Sequence, residues 1–259
     1  MLSKNKIKLI HDLKQKKART ETGLFIMEGD KMVTEVLVNR NLEVRDLIAT
    51  SEWLLRNRYL LHKGILEVTE VTETEFRKVT LFESPSGVMA LVPLPEIKVD
   101  EKDLAEQLSV SLDTIQDPGN LGTIIRTADW FGIRNIFCSP GCADCFNPKV
   151  VQSSMGAVLR VKVHYTELDL LLENLNRLDH YTVYGSYLEG KSIYEEEPEL
   201  FGMLVFGNES KGIHPTLKKY IHLPLSIPSF PVHGGHVESL NVSAAFAVFC
   251  SEFFRKRPR

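Results

Sequence analysis

The segment that most limits what this chain can become runs from Leu108 to Gly132. An apolar stretch over 108–115 is short enough for a buried strand, and Asp117-Pro118-Gly119 breaks it with turn chemistry. Ile124, Ile125, Ala128 and Phe131 then recur at helical spacing, with Asn120 as the expected N-cap and Gly132 closing the run. A buried strand feeding a helix in this way needs further strands beside it. The chain supplies them at 133–138, 161–164, 181–186, 203–207 and 221–225, with helical segments at 148–155, 168–178 and 215–220 and a last helix after Asn241. That order predicts an α/β domain with a mostly parallel sheet over residues 107–259.

The first 95 residues read as a smaller α/β unit. Strands are expected at 24–27, 46–50, 66–69 and 87–92, and helices follow Asp30, Ser51 and Thr72, the last with the spacing of a capping box. Val33, Val36 and Leu37 mark one inner helix face, and Ile7, Ile10 and Leu13 mark that of the first helix. Residues 96–106 follow two closely spaced prolines without regular periodicity and are read as a linker.

The formal net charge of −3 argues against a nucleic-acid partner until its distribution is considered. Residues 1–20 carry seven cations against the single carboxylate of Asp12, and Arg255, Lys256, Arg257 and Arg259 close the chain. Phosphate attraction requires local rather than total charge. Four cysteines are few for a disulfide framework, and Cys142-x-x-Cys145 lacks a second pair at zinc spacing, so no metal is expected. No apolar stretch is long enough for a membrane span and no leader pattern is present, which makes a cytoplasmic protein the expectation. Gly207 to Gly212 has the two glycines of a phosphate loop, but Ile213-His214 stand where Lys and Ser/Thr are needed. His233 and His236 sit in a glycine-rich loop and are read as incidental.

Three stretches place polar groups at the carboxyl ends of strands, where open α/β sheets bind ligands. They are Asn120-x-Gly-x-x-x-Arg126, Gly207-x-Glu209-x-x-Gly212, and Ile227-Pro228 followed by Ser239-Leu-Asn-Val-Ser243. In order and residue types they resemble the three motifs of the SpoU (TrmH-like) RNA 2′-O-ribose methyltransferases of the SPOUT class. The resemblance implies a trefoil-knotted domain that binds S-adenosylmethionine, acts as a homodimer on rRNA or tRNA, and follows an N-terminal RNA-recognition module. It implies catalytic roles for Arg126, Asn120, Glu209, Ser239 and Asn241. Cofactor contacts are implied for Gly207, Ile227 and Leu240, with Ser186, Tyr187, Phe206 and Pro228 beside them. Lys14, Lys17 and Arg19 are the expected RNA contacts, Lys17, Arg19 and Glu28-Gly29 resembling the module's usual opening.

The chemistry fits: a ribose hydroxyl must lose its proton as it attacks a sulfonium methyl, in line. A guanidinium stays protonated, so Arg126 is expected to hold a phosphate and stabilise developing oxyanion charge. Glu209 is expected to orient Arg126 or to bond backbone. Two departures from the family pattern stand out: the loop between Ile227 and Ser239 is lengthened, and Gln152 replaces a frequent arginine. The apolar last helix, with Val242, Ala245, Phe246, Phe249 and Phe253, suits either a core or a subunit contact. The rival function is a non-catalytic RNA-binding assembly factor with the same fold, against which the intact motif residues argue. Base methylation by a relative of the same class is disfavoured by the Ser239–Ser243 stretch.

Overall fold

The computed structural model describes residues 2–39, 42–99, 104, 106–199, 201–230 and 238–255. It divides into two compact units, Met1–Glu96 with Phe146–Gly156, and Ile97–Cys145 with Ala157–Arg259.

The first unit contains α1 (Lys4–Asp12), α2 (Lys16–Thr22), β1 (Leu24–Glu28), α3 (Asp30–Val38), β2 (Asp46–Thr50), α4 (Ser51–Arg56), a 3-10 turn (Arg58–Leu60), β3 (Val68–Val71), α5 (Glu73–Phe76) and β4 (Val88–Pro93). Its sheet runs β1-β4-β2-β3, antiparallel except for the parallel β2–β3 pair. Alternation along the strands sends Ile26, Ile48, Met89 and Leu91 to one face, where Ile10, Leu13 and Phe76 cover them. Helices α3 and α4 pack on the other face, joined by the Trp53 indole N–H donating to Asp30 at 2.5 Å. The excursion 146–156 also packs here, with the Phe146 ring 4.7 Å from that of Phe25.

Glu28, Asp46 and Glu75 of this unit are tied internally. Glu28 accepts the Leu81 N–H at 2.7 Å and the hydroxyls of Thr80 and Ser86, and burial pushes its carboxyl above the ordinary range. Lys6 reaches Asp46 at 2.5 Å and Glu67 at 2.7 Å. Thr72 and Glu75 form the expected capping box. Helix α4 is capped by Thr50 rather than Ser51, whose hydroxyl turns instead to Glu70.

In the second unit come β5 (Leu108–Leu112), α6 (Pro118–Phe131) and β6 (Asn135–Cys138), and, after the excursion with its helix α7 (Pro148–Ser154), β7 (Lys162–Tyr165), α8 (Leu168–Leu175), β8 (Val183–Ser192), β9 (Gly202–Phe206), β10 (Leu223–Ser226) and α9 (Val242–Phe254). The six strands lie in the order β10-β8-β9-β5-β6-β7 and every adjacent pair is parallel. The chain leaves β5 toward β6 on one side and returns to β9 on the other. The carboxyl ends of β5 and β9 therefore flank a switch point, the place where such sheets open a crevice. Phe246, Phe249 and Phe253 of α9 are buried, and the Phe206 ring meets those of Phe246 and Phe249 edge-on at 5.4 and 5.2 Å. The last helix is thus a core helix. No helix among the described residues is long and apolar enough to cross a membrane.

Candidate active site

Three turns converge at the switch point. The first follows β5. Asp117, not Asn120, caps α6: its carboxylate accepts the Asn120 N–H at 2.8 Å, and Pro118 takes the first helical position, where a missing N–H costs nothing. Asn120 therefore lies inside the first turn with its side-chain amide free for other partners.

The second turn follows β9. Asn208 and Gly212 exchange backbone hydrogen bonds of 3.1 and 2.8 Å, closing the loop so tightly that a Cβ on Gly207 would lie 2.0 Å from the Gly212 carbonyl carbon. Only glycine fits there. The loop is braced to the first turn through Asn208 Nδ2, which donates to the Thr114 carbonyl at 2.9 Å, and through Asp113, which accepts the His214 N–H at 2.8 Å. Thr114 is held at φ +58°, a costly conformation for a β-branched residue.

The third turn precedes α9. Asn241 caps that helix by accepting the Ser243 N–H at 3.0 Å, and the helix proper starts at Val242, so Ser239 lies in the turn before it.

The Asn241 amide donates to Asn120 Oδ1 at 2.9 Å, and the Asn120 amide donates to Glu209 Oε1 at 2.6 Å. One directed chain of hydrogen bonds thus joins all three motifs, across sequence separations of 121 and 89 residues. Glu209 thus meets the Asn120 side chain, where an Arg126 or a backbone partner was expected.

Two cavities share the wall 208–211. The larger, about 900 Å³, is lined by Ser186, Tyr187, Phe206, Gly207, Ile227, Pro228, Ser239 and Leu240 among others, and so collects every residue expected to touch a cofactor. Ser186 and Tyr187 reach it by an unexpected route. They do not sit at a strand end; the β8–β10 register jumps from Gly185↔Pro224 to Lys191↔Leu225, and the segment between them loops out of the ladder against the cavity. The smaller cavity, about 460 Å³, is lined by residues of polar type, among them Thr114, Gln116, Asp117, Asn120, Glu209 and Lys211. Thr114, Asn208 and Lys211 carry no motif signal of their own; only the glycines flanking Asn208 and Lys211 hint at them.

Arg126 lies outside both walls, on the solvent face of α6 with Thr123 and the 85% exposed Trp130. The expected RNA contacts also divide. Lys14 and Lys17 are exposed, Lys17 beside Glu21 at 3.8 Å, whereas Arg19 is 2% exposed and donates to the Leu13 and Lys14 carbonyls at 2.8 and 2.9 Å. Its guanidinium is used to hold the α1–α2 turn, which removes it from an RNA-facing role. The four cysteines are buried and form no disulfide among the described residues. Cys142 accepts the Ile115 N–H at 3.2 Å and is lowered to about 7, first by a hydrogen bond from Cys138. No group of metal-binding side chains occurs among the described residues. Residues 231–237 of the lengthened loop, with His233 and His236, lie outside the described residues.

Comparison with known proteins gives a consistent picture. Residues 107–251 match the SpoU rRNA Methylase family and residues 4–90 the MRM3-like substrate binding domain. The chain is 34% identical over 245 residues to the 23S rRNA (guanosine(2553)-2′-O)-methyltransferase RlmP of Bacillus subtilis, covering 94% of this chain and 93% of that protein. A TrmH-family protein from Porphyromonas gingivalis superposes with a TM-score of 0.86 at 38% identity, covering 99% of each chain. An AdoMet-bound rRNA methyltransferase from Sinorhizobium meliloti does so with a TM-score of 0.84 at 26% identity, covering 100% of this chain and 97% of that one.

Proposed function

We propose, from the premise that this chain belongs to the SpoU rRNA methylase family, that the three converging turns form one catalytic centre for methylating rRNA. The protein is an S-adenosylmethionine-dependent RNA 2′-O-ribose methyltransferase. The observation that carries the assignment of the centre is the Asn241–Asn120–Glu209 chain, which ends on Glu209 in the wall common to both cavities.

The larger cavity suits a nucleoside with an aliphatic amino-acid arm: Phe206, Ile227, Leu240 and Phe249 offer apolar surface, and Ser186, Ser239 and Glu209 offer polar contacts. Bound there, the cofactor supplies a methyl group on a sulfonium. The rest of the work falls to the chain's own residues. The smaller cavity receives the target nucleotide, so that its ribose hydroxyl lies at the shared wall. Asn241 and Asn120 fix the Glu209 carboxylate through Oε1, leaving Oε2 to hold the hydroxyl hydrogen, while Ser239 positions the ribose from the other side. Arg126 binds a backbone phosphate and stabilises the charge that develops on the attacking oxygen. Its place on an exposed face, next to Trp130, supports a dimer in which α6 takes part in the subunit contact. Lys14 and Lys17 hold RNA on the first unit. A trefoil knot belongs to the same reading, supported by α9 returning from the β10 edge to pack on α6 beside the central strand. So does a cytoplasmic setting.

The likeness to RlmP, a 23S rRNA guanosine 2′-O-methyltransferase, favours a guanosine ribose of 23S rRNA over tRNA for this chain as well. The test is transfer of labelled methyl from S-adenosylmethionine to rRNA and tRNA from a strain lacking the protein, followed by digestion and nucleoside mass analysis. A 2′-O-methylguanosine in 23S rRNA is expected; label in tRNA alone contradicts the substrate, and label on a base contradicts the reaction.

A further inference from the structure

The first unit carries a second cationic surface, remote in sequence from its basic first helix. Residues 53–66 contain Arg56, Arg58, His62 and Lys63 and not one carboxylate. The segment is anchored by buried Trp53 and Leu60, which turn Leu55 and Tyr59 outward, 78% and 74% exposed. Arg56, Arg58 and Lys63 are exposed and make no ion pair among the described residues. That sets them apart from Lys17, Arg160, Arg177, Lys191 and Arg255, each of which has a carboxylate partner. Of the nearby carboxylates, Glu67 is engaged by Lys6 at 2.7 Å and Glu70 by the Ser51 hydroxyl, while Glu52 is exposed one turn before Arg56 and forms no ion pair with it.

Exposed cations without partners, grouped around an outward tyrosine, match the chemistry of a single nucleic-acid strand: phosphates for the cations and base faces for the ring. A protein partner would satisfy Leu55 but leave three cations to find carboxylates. We infer that the Leu55–Lys63 surface binds an unpaired segment of the substrate RNA, with Arg56, Arg58 and Lys63 on its phosphates and Tyr59 stacked on a base. It lies on the α3–α4 side of the four-stranded sheet, whereas α1, which leads to Lys14 and Lys17, covers the opposite face. The RNA is thus contacted at two separate places on this unit. The inference rests on the RNA methyltransferase reading.

The test uses the full chain with a labelled 23S rRNA transcript and a short oligoadenylate, measuring affinity over a range of salt. Replacing Arg56, Arg58 and Lys63 together by Ala is expected to weaken binding and to flatten the slope of log affinity against log salt by about 2. Tyr59→Ala is expected to weaken binding about tenfold with the slope unchanged. The double variant Arg56→Lys/Arg58→Lys keeps the wild-type slope, which separates charge from lost folding. In methyl transfer the Ala variants raise KM for RNA and leave kcat and S-adenosylmethionine affinity alone. Wild-type affinity and slope in both Ala variants overturns the inference. So does unchanged RNA binding accompanied by lost self-association in sedimentation, which assigns the surface to a second copy. Failure of the underlying reading is distinct, because the wild-type chain itself then transfers no methyl to any RNA.

Discussion

Both units are α/β and both place carboxylates at strand ends, but they use them oppositely. Glu28 ends β1, is 2% exposed, and is fully engaged by Leu81, Thr80 and Ser86 of its own unit. Glu209 follows β9, is exposed, and shares one oxygen with Asn120 while facing two cavities. The difference follows from the sheets. In the first unit the long connection from β3 to β4 folds back over the end of β1 and brings Thr80, Leu81 and Ser86 onto Glu28. The all-parallel second sheet reverses order at β5 and β9, holding a crevice open where side chains keep unused hydrogen-bonding capacity. Buried polar groups such as Glu28 thus act on stability, and in the proposed function those at the switch point act on chemistry.

The sharpest way to break this contrast is at an exposed position of the second unit. Arg126→Ala is expected to lower kcat by roughly 10²–10³ while leaving S-adenosylmethionine binding and melting temperature unchanged. Near-normal turnover removes the residue from the mechanism. Glu209→Gln, which keeps size but discharges the carboxylate, is expected to lower kcat by about 10–100-fold with stability altered by less than about 0.5 kcal/mol. A large loss of stability with chemistry intact reverses the contrast.

Glu28→Ala should do the opposite, destabilising by about 2–3 kcal/mol through stranded donors while methyl transfer at low temperature persists. Denaturant titration against single-turnover rates separates the two effects. The pH response sharpens it further. Because burial holds the folded Glu28 carboxyl above its unfolded value, the folded state binds more protons, and stability falls as pH rises from the ordinary glutamate range through the elevated folded one. Glu28→Gln should flatten that slope; an unchanged slope assigns it to other groups.

Much of this architecture was legible in local pattern. Strand-to-helix alternation gave the parallel sheet, and the Thr72–Glu75 spacing gave its capping box. What was not legible depends on distant partners or on competition between neighbours. Asn120 and Asp117 are equally good caps by type, and Pro118 decides between them because it is accommodated at the first helical position. Arg19 reads as one more surface cation in a basic run, yet two carbonyls of the α1–α2 turn draw it inside. The strand expected to end at 186 resumes its pairing at Lys191, which local pattern does not show because its cause is the partner register on β10. Likewise the Asn120–Glu209 bond spans 89 residues, beyond any local signal.

The most direct test of the central claim is the single-turnover rate of methyl transfer by Asn120→Ala, measured with its S-adenosylmethionine affinity. Asn120 alone touches both other members of the hydrogen-bond chain, so its loss releases Glu209 and Asn241 together. The account predicts a rate about 100-fold lower with cofactor affinity within about twofold of wild type. A wild-type rate, or a rate that falls only because the cofactor no longer binds, contradicts it.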